Sequence, residues 1–221
     1  MKKACLWVLA ILISASAIAL TDSELVQVEK VRQFYGERAG QRMLSWRQVI
    51  RSSRAADDKH KLKAINNFFN QLVFIDDIKL WGQEDYWATP LEFIGSAAGD
   101  CEDFSIAKYF SLLELGIDDS RLRLVYVKAL NLNQFHMVVA YYPTPSSIPL
   151  LLDNLDHEIK PATKRTDLLP IYSFNGSKLW LMKQKGQGQL AGQASRLSVW
   201  NDLRQRSNHT QFHRPIINFD E

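Results

Sequence analysis

The chain of 221 residues is 46% hydrophobic, 23% charged and 11% aromatic. This composition is that of a globular protein with a buried core, and it excludes a disordered tail, a collagenous repeat and a membrane bundle. The formal net charge of +3 comes from 27 basic and 24 acidic residues that are well mixed, so it gives no indication of nucleic-acid binding. The two cysteines, Cys5 and Cys101, are more informative.

The amino terminus is predicted to be an export signal. Lys2 and Lys3 precede an uncharged, apolar stretch at residues 4–20, and Ala17-Ile18-Ala19 provides a small-residue cleavage site. We therefore expect residues 1–19 to be a signal peptide. A retained amino-terminal anchor is the alternative, because the apolar stretch approaches the roughly 20 residues that cross a bilayer.

Removal of the signal would change the cysteine content. Cys5 would leave with both lysines, so the mature chain would carry a net charge of 3 − 2 = +1 and one thiol, at Cys101. One thiol cannot form a disulfide within the chain, and idle thiols are unusual in oxidising compartments. Cys101 is therefore either a small buried hydrophobic residue or a reactive cysteine.

The first part of the mature chain is predicted to be helical. Apolar residues recur at three- and four-residue steps between residues 22 and 54, which indicates amphipathic helices separated near Gly36 and Gly40. Asp57 begins a further helix. Residues 76–99 have no clear period, and their aromatic side chains indicate an ordered loop.

The second part is predicted to be a buried helix followed by antiparallel strands. Residues 101–115 are apolar nearly all round and end at Gly116, as expected of a central helix. Strand-like runs follow at residues 122–127, 135–142, 148–152, 169–174 and 178–182. This order predicts an α+β fold, with amino-terminal helices and a cysteine-bearing helix packed on an antiparallel sheet. We expect one domain at residues 20–182 and a loosely ordered tail at residues 183–221, with a short helix within it.

Three residues are predicted to form a Cys-His-Asp triad. Cys101 lies in the first turn of the buried helix, where free N–H groups and the helix dipole favour the thiolate. His136 lies within the second strand run and Asp153 ends the third, so packing could bring imidazole to thiol and carboxylate to imidazole. The alternatives are a satisfied core histidine at His136, a simple turn at Asp153, and His157 as a rival base.

Three carboxylates surround the predicted nucleophile, at Asp100, Glu102 and Asp103, although neighbouring anions disfavour a thiolate. A Ca²⁺ ion bound by these oxygens would offset their charge, and Asp118 or Asp119 could supply further ligands. Capping of the helix by Asp100 and Asp103 is the alternative, although it gives Glu102 no role. The residues by themselves leave calcium binding and capping open.

Four segments together resemble the bacterial transglutaminase-like cysteine proteinases, over about residues 45–182. The specific part is the Gly-Asp-Cys-Glu-Asp block with the later Asp-Asn pair. The segments are DYWATPLEF at 85–93, GDCEDFSIAKY at 99–109, FHMV at 135–138 and LDN at 152–154.

The resemblance implies a papain-like fold of the transglutaminase type and a periplasmic, calcium-dependent thiol protease. Cys101 would be the nucleophile, His136 the general base and then acid, and Asp153 the residue that orients His136. The same resemblance implies calcium at the three carboxylates that surround the cysteine.

The resemblance also implies a substrate and a regulator. Members of the family cleave the amino-terminal region of a large surface adhesin, typically between two alanines, which releases the adhesin and disperses biofilm. An inner-membrane, LapD-like receptor captures the protease through its periplasmic domain when its cytoplasmic part binds cyclic di-GMP. Two other hypotheses are compatible with the same fold. The protein could be a cysteine amidase or acyl transferase acting on cell-wall peptides, or a non-catalytic, calcium-dependent binding module.

Overall fold

The computed structural model describes residues 20–182 and 188–220. The signal peptide expected at residues 1–19 lies outside the described residues, as do residues 183–187 of the expected tail. None of the helices in the two described ranges is long and apolar enough to cross a bilayer.

The described residues form helices α1 to α7 and strands β1 to β9. The helices are α1 Asp22–Tyr35, α2 Glu37–Ser53, α3 Asp58–Phe69, α4 Asp77–Leu80, α5 Pro90–Ser96, α6 Cys101–Glu114 and α7 Ser198–His209. The strands are β1 Val73–Phe74, β2 Ala98–Gly99, β3 Leu122–Ala129, β4 Gln134–Tyr141, β5 Leu150–Leu152, β6 Lys160–Pro161, β7 Leu168–Phe174, β8 Lys178–Leu181 and β9 Gln189–Gln193.

The three amino-terminal helices confirm the expected helical start of the domain. Gly36 ends α1 and begins α2 with a φ of 109°, a left-handed value that favours glycine. Gly40, expected at the same boundary, lies inside α2 instead, where a β-carbon would come within 2.9 Å of the Arg32 side chain. Asp57 caps α3 by accepting a hydrogen bond from the N–H of His60 at 2.8 Å.

Residues 76–99, expected to be an ordered loop, contain α4, α5 and β2. Thr89 and Glu92 form a capping box at the start of α5, where Pro90 occupies the first turn. These elements are too short for a hydrophobic period to reveal them in the sequence. The expected aromatic packing is present, since Trp87 is buried in the core.

Within the described residues, seven strands form one antiparallel sheet. Their order is β6-β5-β4-β3-β7-β8-β9, and β1 forms a separate parallel pair with β2. The sheet starts as the expected meander from β3 to β5, but β7 then returns to pair with the free edge of β3. The hairpin of β3 and β4 is therefore central, and it pairs Val127 with His136.

Helix α6 connects the helical part of the molecule to this sheet. The Oγ of Ser105 donates to the carbonyl of Met137 in β4 at 2.8 Å. Met137 and Val139 share the core that surrounds α6, whereas Val138 and Ala140 belong to a smaller cluster on the opposite face, as the two-residue period of a strand requires. The predicted α+β arrangement, with the cysteine helix on an antiparallel sheet, is confirmed.

The expectation of a loosely ordered tail at residues 183–221 is wrong for residues 188–220. Strand β9 pairs with β8 at the edge of the sheet, and α7 buries Trp200 and Leu203 in the main core. Trp200 stacks on Phe110 of α6 with 5.6 Å between ring centroids. The Gly, Gln and Ser composition suggested disorder, because an average over the segment hides two large apolar side chains three residues apart on one helix face.

Replacing Trp200 with alanine tests whether this segment contributes to stability. Because the side chain is 1% exposed, Trp200→Ala should lower the free energy of unfolding by about 3–5 kcal/mol. Leu190→Ala is the matched control, since Leu190 is 57% exposed on β9 and surface changes cost no more than about 0.5 kcal/mol. Urea denaturation followed by circular dichroism measures both, and equal small losses would show that α7 is not part of the cooperative fold.

Candidate active site

Cys101 is the first residue of α6, as the sequence predicted. Its thiol is free and buried, and it donates to Oε2 of Glu102 at 2.8 Å. Burial raises the pKa of this thiol, and the neighbouring carboxyl groups of Glu102 and Asp100 raise it further. In this arrangement the cysteine is protonated and held by its acidic neighbour.

His136 and Asp153 are brought together as predicted. His136 Nε2 lies 2.7 Å from Asp153 Oδ1, and both side chains are buried. In the register of β4 and β5, Val139 pairs with Leu152. Asp153 follows Leu152 directly at the end of β5, beside the strand that carries His136. The pairing of β4 with β5 therefore brings the two residues into the same region of the sheet.

The link between the thiol and the imidazole is not formed in this structure. Among residues 20–182 and 188–220, no hydrogen bond joins Cys101 to His136. The thiol lies instead at the backbone of Met137, the neighbour of His136. Because Asp153 occupies Nε2, the ring nitrogen that remains for the thiol is Nδ1.

The alternative assignments for the base are not supported by the structure. His157 is exposed, and its contribution to the fold is a backbone carbonyl that accepts from Asn66 Nδ2 at 2.9 Å. His60 and His209 are exposed as well. Asp153 does begin a turn, because its Oδ1 also accepts the N–H of Leu155 at 3.0 Å. The turn and the contact with the histidine thus use the same carboxylate.

Arg165 is a site residue that the sequence did not reveal. Its Nη1 lies 2.8 Å from Asp153 Oδ2, and its Nη2 lies 2.8 Å from Asp167 Oδ2, although the side chain is buried. Burial alone would raise the pKa of Asp153, but the hydrogen bond and charge of His136, with the Leu155 N–H and Arg165, lower it to about 2. The carboxylate is therefore ionised throughout the range in which an enzyme operates.

The acidic cluster includes a residue that the sequence analysis missed, Asp77. Carboxylate oxygens of Asp77, Asp100 and Asp103 lie within 4.8 Å of one another, and ligand atoms of Asp100, Cys101 and Glu102 meet the same limit. The predicted ligands are thus close together, with Asp100 common to both groups. Asp77 was not predicted because it lies 23 residues before Asp100 in a segment without a clear period.

Asp100 and Asp103 do cap α6, but capping does not account for the whole acidic cluster. Asp100 Oδ1 accepts the N–H of Glu102 at 3.2 Å, and Asp103 Oδ2 accepts the N–H of Asp100 at 3.3 Å. Gly99 permits this approach, since a β-carbon there would lie 2.3 Å from Asp103 Oδ2. Oδ1 of Asp77, however, is buried and receives no hydrogen bond from the described residues. Capping therefore leaves one buried oxygen unsatisfied.

The electrostatics of the cluster fit a cation. Burial raises the pKa of Asp77 to about 7 and that of Asp100 to about 11, and the neighbouring carboxylates add to both shifts. Burial also raises the pKa of Asp103 well above its usual value. A hard divalent cation prefers several oxygen ligands and would reverse this repulsion. The residues present are those that would hold Ca²⁺.

Asp118 and Asp119, considered as further ligands, lie elsewhere. They follow the carboxyl end of α6, whereas the cluster surrounds its amino end. Asp118 caps a short 3₁₀ helix by accepting the N–H of Ser120 at 2.8 Å, and Asp119 accepts the hydroxyl of Tyr109. The length of α6 separates them from the cluster, so the idea that they contribute ligands is wrong.

An aromatic wall extends along the sheet beside the site. The rings of Phe135, Tyr126 and Tyr172 stack with centroid separations of 5.4 and 5.0 Å, and Phe135 is 58% exposed. Burial raises the pKa of Tyr126, and the nearby Glu102 and Cys101 add to the shift. The wall therefore presents an exposed apolar side chain next to His136, which follows Phe135 in β4.

Comparisons with known proteins agree with this geometry. Residues 32–185 match the family model described as bacterial transglutaminase-like cysteine proteinase, BTLCP. The calcium-bound structure of LapG from Legionella pneumophila is 40% identical, with a TM-score of 0.72, and the match covers 83% of this chain and 98% of LapG. The EGTA-treated structure of the same protein is also 40% identical, with a TM-score of 0.72 and coverage of 81% and 96%. A comparison with curated protein sequences finds no match.

These matches extend over most of the chain and include the helix, strands and loop that carry the candidate site. They also agree with the expected fold, since LapG shares the combination of helices and antiparallel sheet. The chain therefore belongs to the bacterial transglutaminase-like cysteine proteinases, and it is a cysteine protease.

Proposed function

We propose that this protein is a calcium-dependent endopeptidase of the periplasm that cleaves the amino-terminal region of a large surface adhesin, between two alanines. Cleavage would release the adhesin and promote biofilm dispersal, under control of a LapD-like receptor for cyclic di-GMP. The observation that carries the proposal is Cys101 at the start of α6, beside the paired His136 and Asp153. The proposed substrate and receptor rest on the sequence resemblance to the family.

The proposed reaction is peptide hydrolysis through an acyl-enzyme. The Cys101 thiol leaves Glu102, transfers its proton to Nδ1 of His136 and attacks the scissile carbonyl. The N–H of Cys101, in the first turn of α6, is directed to the oxyanion. His136 then protonates the leaving amine and activates the water that releases the acyl group, while Asp153 holds the ring through Nε2.

The acidic cluster supports the calcium dependence. Asp77, Asp100 and Asp103 would hold the ion, with Glu102 next to them. A bound Ca²⁺ would supply positive charge beside the thiol, in the place where the carboxylates now oppose its ionisation. Arg165 is separate from this cluster, and it keeps Asp153 ionised and aimed at His136.

The nucleophile and substrate can be tested together. The mature protein, mixed with the amino-terminal region of an adhesin encoded in the same genome, should cut it at one dialanine, as mapped by mass spectrometry. Cys101→Ala should abolish the cut and leave the fold intact. His136→Ala should lower kcat/KM by about 10²–10⁴-fold, whereas the exposed His157→Ala is the matched control and should cleave normally.

Other outcomes of this experiment would contradict the proposal. Cleavage by Cys101→Ala would remove the nucleophile assignment. Muropeptides added in parallel distinguish the cell-wall amidase, which would cut them and leave the adhesin fragment intact. A folded protein that binds calcium and cuts neither substrate would be a binding module.

Removal of calcium should stop cleavage and lower the melting temperature. At a calcium concentration of about 100 times Kd, binding contributes about 2.7 kcal/mol, which corresponds to roughly 5–10 °C in a domain of this size. Asp77→Asn removes the charge and retains an acceptor for the Tyr86 N–H, so it should weaken calcium binding measured by calorimetry. Asp76→Asn changes the exposed neighbour and should have no effect. Unchanged melting in EGTA would favour capping without metal.

The low pKa of Asp153 predicts a dependence of stability on pH. Its folded value of about 2 is below the usual 3.8, so ionised Asp153 stabilises the fold above about pH 4, and this contribution is lost as the pH falls through 2. The difference in unfolding free energy between the unaltered protein and Asp153→Asn should shrink by about 2 kcal/mol between pH 5 and pH 2, at about 1.4 kcal/mol per pKa unit. Urea denaturation at several pH values measures it, and a constant difference would contradict the ion pairing.

A further inference from the structure

The acidic cluster is supported by backbone groups of the segment between α4 and α5. The N–H of Tyr86 donates to Asp77 Oδ2 at 2.7 Å, and the N–H of Ala88 donates to Asp103 Oδ1 at 2.7 Å. The segment 86–88, named here the supporting strip, therefore orients two of the three clustered carboxylates.

The supporting strip is also held by α7. Arg206 Nη2 donates to the carbonyl of Trp87, the middle residue of the strip, at 2.6 Å. Arg206 Nη1 donates to Glu92 Oε2 at 2.7 Å, and Nε donates to Asp202 Oδ2 at 2.8 Å. Both Arg206 and Glu92 are buried. One planar guanidinium thus fixes the strip, α5 and α7 relative to one another.

The chain beyond α7 also contacts Glu92 and the supporting strip. The N–H of His213 donates to Glu92 Oε1 at 3.0 Å, and His213 Nδ1 lies 2.7 Å from the hydroxyl of Tyr86. The hydroxyl of Tyr35 donates to the carbonyl of His213 at 2.8 Å. Arg206 and His213 both lie beyond residues 32–185, the part of the chain that matches the family model.

We propose that Arg206 is a positioning residue of this protease, which sets the calcium affinity of the acidic cluster by fixing the supporting strip. The inference rests on the proposed calcium dependence. If the strip shifts, the N–H donors of Tyr86 and Ala88 no longer hold Asp77 and Asp103 in place. Partners that orient metal ligands in this way typically change affinity by about 10–100-fold when they are altered.

The test compares two arginines of α7 that each donate to a backbone carbonyl. Arg206→Lys retains the positive charge beside Glu92, but its compact ammonium lacks the planar fork that places three nitrogens on partners spread around the guanidinium. Arg204→Lys is the matched control, since exposed Arg204 donates to the carbonyl of Gly176 at 3.1 Å, away from the strip. Calorimetric titration with CaCl₂ alone should give a Kd raised by about tenfold or more in Arg206→Lys and a Kd within about twofold of the unaltered protein in Arg204→Lys.

Activity separates positioning from general stability. The calcium concentration for half-maximal cleavage should rise in Arg206→Lys, and kcat at saturating calcium should return close to that of the unaltered protein. An unchanged calcium Kd in folded Arg206→Lys would overturn the inference, as would a lowered kcat that calcium does not restore. Failure of the unaltered protein to bind calcium would overturn the proposed calcium dependence and this inference together.

A milder variant covers the case in which Arg206→Lys does not fold. Asp202→Asn removes the charge of the Nε partner, whose side chain is 64% exposed, and leaves Arg206 itself in place. It should raise the calcium Kd in the same direction by a smaller factor. No change in Kd for this folded variant would then count against the inference.

Discussion

The buried carboxylate of Asp103 is the group on which the architecture of the active site depends. It accepts the N–H groups of Asp100 and Ala88, and it lies against Gly99, where no side chain would fit. A fully buried carboxylate must be satisfied by donors or cations. By meeting that requirement, Asp103 fixes the start of α6, and with it Cys101, against the supporting strip.

Capping and cation binding are two uses of the same carboxylates and are compatible. Asp100 and Asp103 cap α6 through backbone N–H groups, while the unsatisfied oxygen of Asp77 and the raised pKa values of the cluster fit a hard cation. Glu102 accepts a hydrogen bond from the thiol of Cys101. The helix start that positions the nucleophile is therefore also the place where its reactivity is restrained.

Around His136 the carboxylate of Asp153 is paired with basic side chains, in contrast to the crowded carboxylates around Cys101. Asp153 lies between His136 and Arg165, so its Oδ1 contacts the imidazole and its Oδ2 contacts the guanidinium. The pairing of β4 with β5 brings His136 and Asp153 together, whereas Cys101 comes from α6. In the proposed reaction the thiol leaves Glu102 for His136, so this step depends on the contact between α6 and β4.

The sequence by itself determined the parts whose signals are local. Hydrophobic period, turn residues and the Gly-Asp-Cys-Glu-Asp block located α6, the central strands and the residues Cys101, His136 and Asp153. The loose-tail interpretation failed because composition averages away two buried side chains on α7.

Only the tertiary structure decided which distant groups share an environment. Asp77, Arg165 and Arg206 lie in segments with no distinctive sequence pattern. Folding places Asp77 beside Asp100 and Asp103, Arg165 beside Asp153, and Arg206 beside Glu92. Whether Cys101 meets Glu102 or His136 is likewise set by packing. The physical reason is that burial and pairing of charge depend on separations in space, which the order of residues along the chain does not encode directly.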